Sequence, residues 1–320
     1  MMIDEVDIRI LKKLQSHDWK GTIAELAEGL KVSEEDVQAR TERLKEARII
    51  LYYTIYLTPW IFGGEWIWAE AFINLRNPLF RYNVIEELKA KLEYYDGATT
   101  NTVIPTGSGA DLSMTFHARS EDEYQQEVQK INDIEGVAKV TALKLEHANV
   151  PQTELDDVDW KMLTSMKQGI MKTLGKEMDT GRMKKENRLN RLVEGKKLFF
   201  LAAIDFSRID NWAHIHVEVT LQRELSQEDI AELEAASISP PHSDWKNWGT
   251  AKGVLTIEPR SFKEFMEKAN KILGTGMKIK SFSVEDRDLP CQPWLDKLLN
   301  SKGTRIENAQ TRDCEVLVKN

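Results

Sequence analysis

Apolar residues recur at helical spacing from the start of the chain: Ile8, Leu11 and Leu14 fall on one helix face. A polar break at Ser16-His17-Asp18 follows. Thr22 then stands where a cap is needed, and Glu25, three residues on, completes a capping box. Lys31-Val32-Ser33 is a short turn, and Ser33 caps a third helix running to about Ala47. Residues 49–57 are β-rich and predict a strand or wing. Three short helices with a tight turn before the third make a helix-turn-helix module. Beyond a loop at 59–64 the pattern predicts a strand at 66–75, a helix at 82–92 and strands at 99–104 and 111–118. A helix at 120–131 and a strand at 138–145 complete the β-α-β-β-α-β order called ferredoxin-like.

The pattern then repeats. Ile3-Asp4-Glu5-Val6-Asp7-Ile8-Arg9-Ile10-Leu11 returns as Leu155-Asp156-Asp157-Val158-Asp159-Trp160-Lys161-Met162-Leu163. Arg40-Thr41-Glu42-Arg43-Leu44 returns as Arg188-Leu189-Asn190-Arg191-Leu192, and Arg119-Ser120 as Arg260-Ser261. The period is too long for a solenoid unit and predicts a duplicated two-domain protein. The second half predicts strands at 212–221, 254–257 and 277–284 and helices at 226–236 and 261–273, with a weak strand near 243–248. The expected class is α+β: two winged helix-turn-helix modules and two ferredoxin-like βαββαβ modules in tandem. Their expected bounds are 1–58, 64–150, 153–205 and 210–288, with a polar tail at 303–320. The second helix-turn-helix is degenerate, because its middle section is about four residues shorter and carries Gly169 and Gly175.

Composition is that of a globular protein, 41% hydrophobic and 30% charged, with no apolar run long enough to span a membrane and no signal peptide. A cytoplasmic location is expected. Cys291 and Cys314 fit neither a disulfide framework nor a zinc motif. The net charge of -8 argues against indiscriminate nucleic-acid binding. The acid excess lies in the first half: residues 1–150 carry 17 Lys and Arg against 25 Asp and Glu, and residues 151–320 carry 27 against 27.

Ile3-Asp4-Glu5-Val6-Asp7, Ile10-Leu11, Glu25-Leu26-Ala27, Val32-Ser33, Arg40, Arg43-Leu44 and Ile49-Ile50 together resemble the leucine-responsive regulatory protein/AsnC family of bacterial and archaeal regulators. Gly109-Ala110-Asp111-Leu112 is similar to that family's Gly-x-aromatic-Asp pattern, with Ala110 in place of the aromatic residue. The resemblance covers nearly all of 1–150 and, more weakly, 153–285. It implies a transcription regulator that binds duplex DNA and a companion domain that pairs through its sheet. It also implies a small amino-acid-like effector bound where companion domains meet. The tandem chain is expected to build a pseudo-dimer by itself and to form a homodimer.

On the second module's third helix, Lys184, Asn187, Arg188 and Arg191 fall on one face opposite Leu189, Leu192 and Val193. Arg182 and Lys185 flank that row, and residues 180–197 hold seven basic and two acidic side chains. Such a row can neutralise phosphates and read base edges. The matching row of the first half is Asp36, Ala39, Arg40 and Arg43, behind Glu34-Glu35. Those acids suit the helix dipole but repel phosphate, so Arg40 and Arg43 are expected to be the weaker DNA contacts.

Thr106-Gly107-Ser108-Gly109 is a hairpin turn or the wall of an effector pocket. Its backbone N–H groups can hold a carboxylate, and Asp111 can accept from an amino group. Lys252 falls where Asp111 does, so the two halves should differ. His214 and His216 share a strand face, but no third metal ligand lies nearby; His117 and His147 carry no assigned role. The tryptophans at 60, 66 and 68 read as core or sheet interface. No nucleophile–base pair stands out, so neither a cofactor nor enzyme activity is expected. Two alternatives stay open. One is a regulator acting through protein partners after losing DNA contact. The other is an enzyme similar to the sirohaem decarboxylases, whose activity depends on His and Arg near the start of the companion domain. There this chain reads Thr58-Pro59-Trp60-Ile61-Phe62 and Asp205-Phe206-Ser207-Arg208-Ile209, where Arg208 is suggestive and no histidine precedes it.

Overall fold

The structure is a computed structural model. It describes residues 3–15, 19, 21–102, 110–169, 190–193, 195, 197–210, 213–221, 226–228, 250–257 and 277–302.

The first three helices, α1 (Glu5–Leu14), α2 (Ile23–Leu30) and α3 (Glu34–Glu46), start at side-chain caps that the sequence supplies. Asp4 and Asp7 form a reciprocal capping box on α1. Thr22 accepts the Glu25 N–H on α2, and Ser33 accepts the Asp36 N–H on α3. The faces they bury, including Ile10, Leu11, Leu14, Leu26, Val37 and Leu44, join one core with Trp19 and Tyr53.

Strand β1 (Ile50–Leu57) leads into a short 3-10 turn at Pro59–Phe62. Next come β2 (Gly64–Leu75), α4 (Arg81–Lys91), β3 (Tyr95–Thr102), β4 (Leu112–Ala118), α5 (Glu121–Asn132) and β5 (Val137–Val150). All pairings are antiparallel, in the order β5-β2-β4-β3. Strand alternation sends Ile67, Ala69, Ala71 and Ile73 of β2 into a second core with Val84, Ile85 and Leu88 of α4 and Ile131 of α5. β3 starts four residues ahead of the expected strand, because Tyr95 pairs with Phe116 and Gly97 with Pro290.

The second half contributes α6 (Asp157–Gly169), β6 (Leu198–Asp205), β7 (Ala213–Leu221), β8 (Thr250–Ile257), β9 (Met277–Pro290) and α7 (Pro293–Ser301). β6 lies antiparallel to β1 from Leu57↔Leu198 to Ile50↔Ile204. β9 joins the halves. One edge pairs with β3, and the other takes β7 along 277–285 and the end of β6 at Asp205↔Arg287. The result is a nine-stranded sheet, mixed α/β with antiparallel pairing. The expected helices at 226–236, beyond residue 228, and at 261–273 lie outside the described residues, as does the polar tail. Helix α7 was not expected from the sequence. It starts at Pro293 and buries Trp294, Leu295 and Leu299.

Candidate functional site

The two arginines expected to face DNA in the first half are turned to internal carboxylates. Arg40 Nη1 reaches Asp4 at 2.7 Å and Asp7 at 3.0 Å, and its Nε reaches Asp36 at 3.0 Å. Arg43 Nη2 donates to Asp7 at 2.6 Å. The Asp7 side chain has no exposed surface, so these cations neutralise a buried charge and tie α3 to α1. The hydrogen bond from Arg40 holds Asp4 below the ordinary carboxylate pKa, and the same bond pushes Arg40 up. Arg191 makes the equivalent bond to Asp159, at 3.2 Å. Arg182, Lys184, Lys185, Asn187 and Arg188 lie outside the described residues.

Asp111 is buried, and its Oδ2 accepts the Leu75 N–H at 2.7 Å. Its carbonyl accepts the Asn101 N–H at 2.9 Å. It thus closes the end of β2, with one oxygen already engaged. Thr106, Gly107, Ser108 and Gly109 lie outside the described residues.

A different cluster forms where β6 meets β9. Asp205 is 1% exposed, and its Oδ2 accepts Arg287 Nε at 3.0 Å and Arg208 Nε at 3.2 Å. Ser207 Oγ donates to Oδ1. Arg287 Nη1 reaches Tyr82 Oη on α4 at 3.4 Å. Both guanidiniums engage the carboxylate through Nε. Along β9 the register sets His214 opposite Glu285, two residues from Arg287. The sequence hinted at this cluster through Arg208 alone. Arg287 joins it through the β6–β9 pairing and Tyr82 through its bond to Arg287, which no local pattern reveals.

A second polar cluster is fully enclosed. Asp96 Oδ2 accepts Tyr56 Oη at 2.5 Å and lies 2.6 Å from His117 Nε2. Its Oδ1 accepts Gln292 Nε2 at 2.8 Å and Trp294 Nε1 at 3.1 Å. Burial, then the Asp96 charge, pushes the Tyr56 hydroxyl well up. Gln292 also brackets Leu57, accepting its N–H at 2.8 Å and donating to its carbonyl at 2.9 Å. The carboxylate therefore ties β1, β3, β4 and the start of α7 together. His117, without a role in the sequence reading, is part of this core. Beyond Trp294 opens a cavity of about 470 Å³ lined by Phe62, Gly63, Gly64, Glu65, Trp66, Tyr94 and Arg119.

Among the described residues, no helix is long and apolar enough to cross a membrane, and no group of three metal-ligating side chains converges.

No family model and no curated protein matches the chain. Solved structures do. The siroheme decarboxylase NirDL is 12% identical at a TM-score of 0.43, over 98% of this chain and 97% of its own. AsnC of E. coli is 24% identical at 0.29, over 48% of this chain and 99% of its own. A transcriptional regulator from Neisseria meningitidis, solved with L-Met, is 19% identical at 0.31, over 48% of this chain and 97% of its own. The mixed α/β architecture with antiparallel sheets is in keeping with an AsnC-like fold. At these scores the likenesses assign neither activity nor ligand. The expectation that the chain is not an enzyme is corrected. The structures matched over 98% and 90% of its length are both of siroheme decarboxylase NirDL, which is an enzyme.

Proposed function

We propose that the chain is an enzyme that removes CO2 from a carboxylate-bearing small molecule, of the siroheme-decarboxylase kind. In this reading two winged helix-turn-helix modules and two βαββαβ modules fold into an internal pseudo-dimer. The observation that carries the proposal is the pair Arg208 and Arg287 on the single buried carboxylate of Asp205. Both engage Asp205 through Nε, and a guanidinium can also hold a substrate carboxylate by fork-like hydrogen bonds. Decarboxylation breaks one carbon–carbon bond, leaves its electron pair on carbon and releases CO2, so that carbon must take a proton. Tyr82, held by Arg287, is a donor this cluster offers. No oxidant or reductant is needed.

An absorbance titration with iron-uroporphyrin tests the reading. Saturable binding that weakens at least about tenfold in Arg208→Leu/Arg287→Leu, roughly 1.4 kcal/mol, supports it. The absence of a spectral change, or equal binding by the variant, contradicts it.

A second reading has its own support. The basic run at 180–197 suits duplex DNA, and a regulator of the Lrp/AsnC type would use Arg182, Lys184, Lys185, Asn187 and Arg188 there. It would take an amino-acid-like effector beside Thr106–Asp111 and act as a homodimer. The internal pairing of Arg40, Arg43 and Arg191 weighs against DNA contact by those three.

A further inference from the structure

We propose that the cavity beneath Phe62 is a second binding site, and that it takes small planar aromatic monocarboxylates. The site shares no residue with the Asp205 cluster and stands independently of the decarboxylase reading.

Its walls are aromatic and held in place. Trp66 and Tyr94 meet edge to face, with ring centroids 5.0 Å apart at 85°. The Trp66 indole is fixed by a 3.0 Å hydrogen bond to the Gly63 carbonyl. Gly63 leaves no room for a side chain: its φ is +69°, and a Cβ there would lie 2.5 Å from the Gln152 backbone nitrogen. Trp294 braces the cavity from behind, 6.3 Å from the Phe62 ring and 5.6 Å from that of Tyr94, with its Nε1 anchored on Asp96. Phe62 nonetheless keeps 39% of its surface exposed, and a Cβ on Gly64 would meet nothing within 4 Å. A rigid aromatic wall facing open space is ready for a flat ring. The volume of about 470 Å³ lies in the range of small-molecule sites, roughly 300–1,000 Å³.

Arg119 defines the ligand's charge. Its guanidinium lies 5.6 Å from the Trp66 ring centroid and 5.2 Å from that of Tyr94. Its Nη2 donates to Glu93 at 3.0 Å and to Tyr94 Oη. Glu93 and Arg119 are both 56% exposed, so their bond is a surface ion pair of small net strength. A ligand carboxylate can displace Glu93 and bond Arg119 and Tyr94, while its ring lies along Phe62 and Trp66. Glu65, also on the rim, repels a second negative charge and favours a monoanion.

Ligand-observed saturation-transfer NMR on the full chain tests this with three probes of one ring: indole-3-acetate, indole and tryptamine. Indole-3-acetate should bind at least tenfold tighter than the other two. Arg119→Leu should abolish that preference and keep weak binding of neutral indole. Glu93→Gln should tighten indole-3-acetate by removing its competitor. Arg119→Lys, which keeps charge without the fork, should fall between Arg119→Leu and the unaltered protein. No preference for the anion in the unaltered protein, or an unchanged preference in a folded Arg119→Leu variant, overturns the proposal. None of these variants touches Arg208 or Arg287, so iron-uroporphyrin binding reports separately on the decarboxylase reading.

Discussion

Arg43 donates to the fully buried carboxylate of Asp7 at 2.6 Å, and Arg191 repeats that bond to Asp159 in the second half. In each half the aspartate also closes a capping box with a partner three residues earlier, Asp4 or Asp156. The duplicated motif therefore encodes a lock between the entry helix and the arginine-bearing segment, which in the first half is α3. Replacing both Arg40 and Arg43 with Ala leaves Asp7 buried without its cations. We predict a loss of about 3–5 kcal/mol of stability, read as a lower urea midpoint. Arg191→Ala removes one half-exposed partner and should cost about 1 kcal/mol. Equal midpoints for the Arg40/Arg43 variant and the parent would show that the lock contributes nothing.

The same lock makes stability depend on pH. Asp4 is held below the ordinary carboxylate value near ~4 by Arg40. A depressed folded pKa contributes stability that is fully present above the unfolded value and is lost as pH falls through the folded one. Thermal midpoints should therefore fall between about pH 4 and more acid conditions, and Arg40→Ala should flatten that fall. A steeper acid slope in Arg40→Ala would reverse the assignment.

The Asp96 cluster predicts a different sensitivity. Asp96→Ala strands Tyr56, His117, Gln292 and Trp294 without their shared acceptor. Each buried donor left unpaired costs about 1–3 kcal/mol, so the variant should lose several kcal/mol and its near-ultraviolet tryptophan circular dichroism. Asp96→Asn keeps one acceptor oxygen and should lose less. Similar losses in both variants would show that the charge, not the shape of the network, matters.

Helix α7 offers a cheap check on how the halves join. Asp296 on α7 is ion-paired with the buried Lys167 of α6. Asp296→Ala should open α7 to limited proteolysis before the β1–β6 pairing is lost, and Lys167→Met should restore part of the protection by removing the orphaned charge. Unchanged cleavage of Asp296→Ala would mean that Trp294 and Leu295 hold α7 without help.

Local patterns carried much of this fold. Thr22 and Ser33 cap the helices expected of them, because capping depends on neighbours within three residues. The strand expected at 66–75 was legible from its own run of residues and is β2. The Asp205 cluster was not, because Asp205 and Arg287 are 82 positions apart and meet only through the β6–β9 register. Arg40 and Arg43 have the spacing of a DNA-facing stripe, but that spacing equally serves an acidic neighbour helix, and nothing within α3 distinguishes the two.

The most direct test of the central proposal is turnover. Incubating the full chain with an iron-uroporphyrin substrate and reading the product by mass spectrometry should show successive loss of CO2. That loss should be abolished in Arg208→Leu/Arg287→Leu and retained in Arg40→Ala/Arg43→Ala at a temperature where both variants are folded. An unchanged substrate mass, with the basic 180–197 segment instead giving tight, salt-sensitive DNA binding, would contradict the account and favour the regulator.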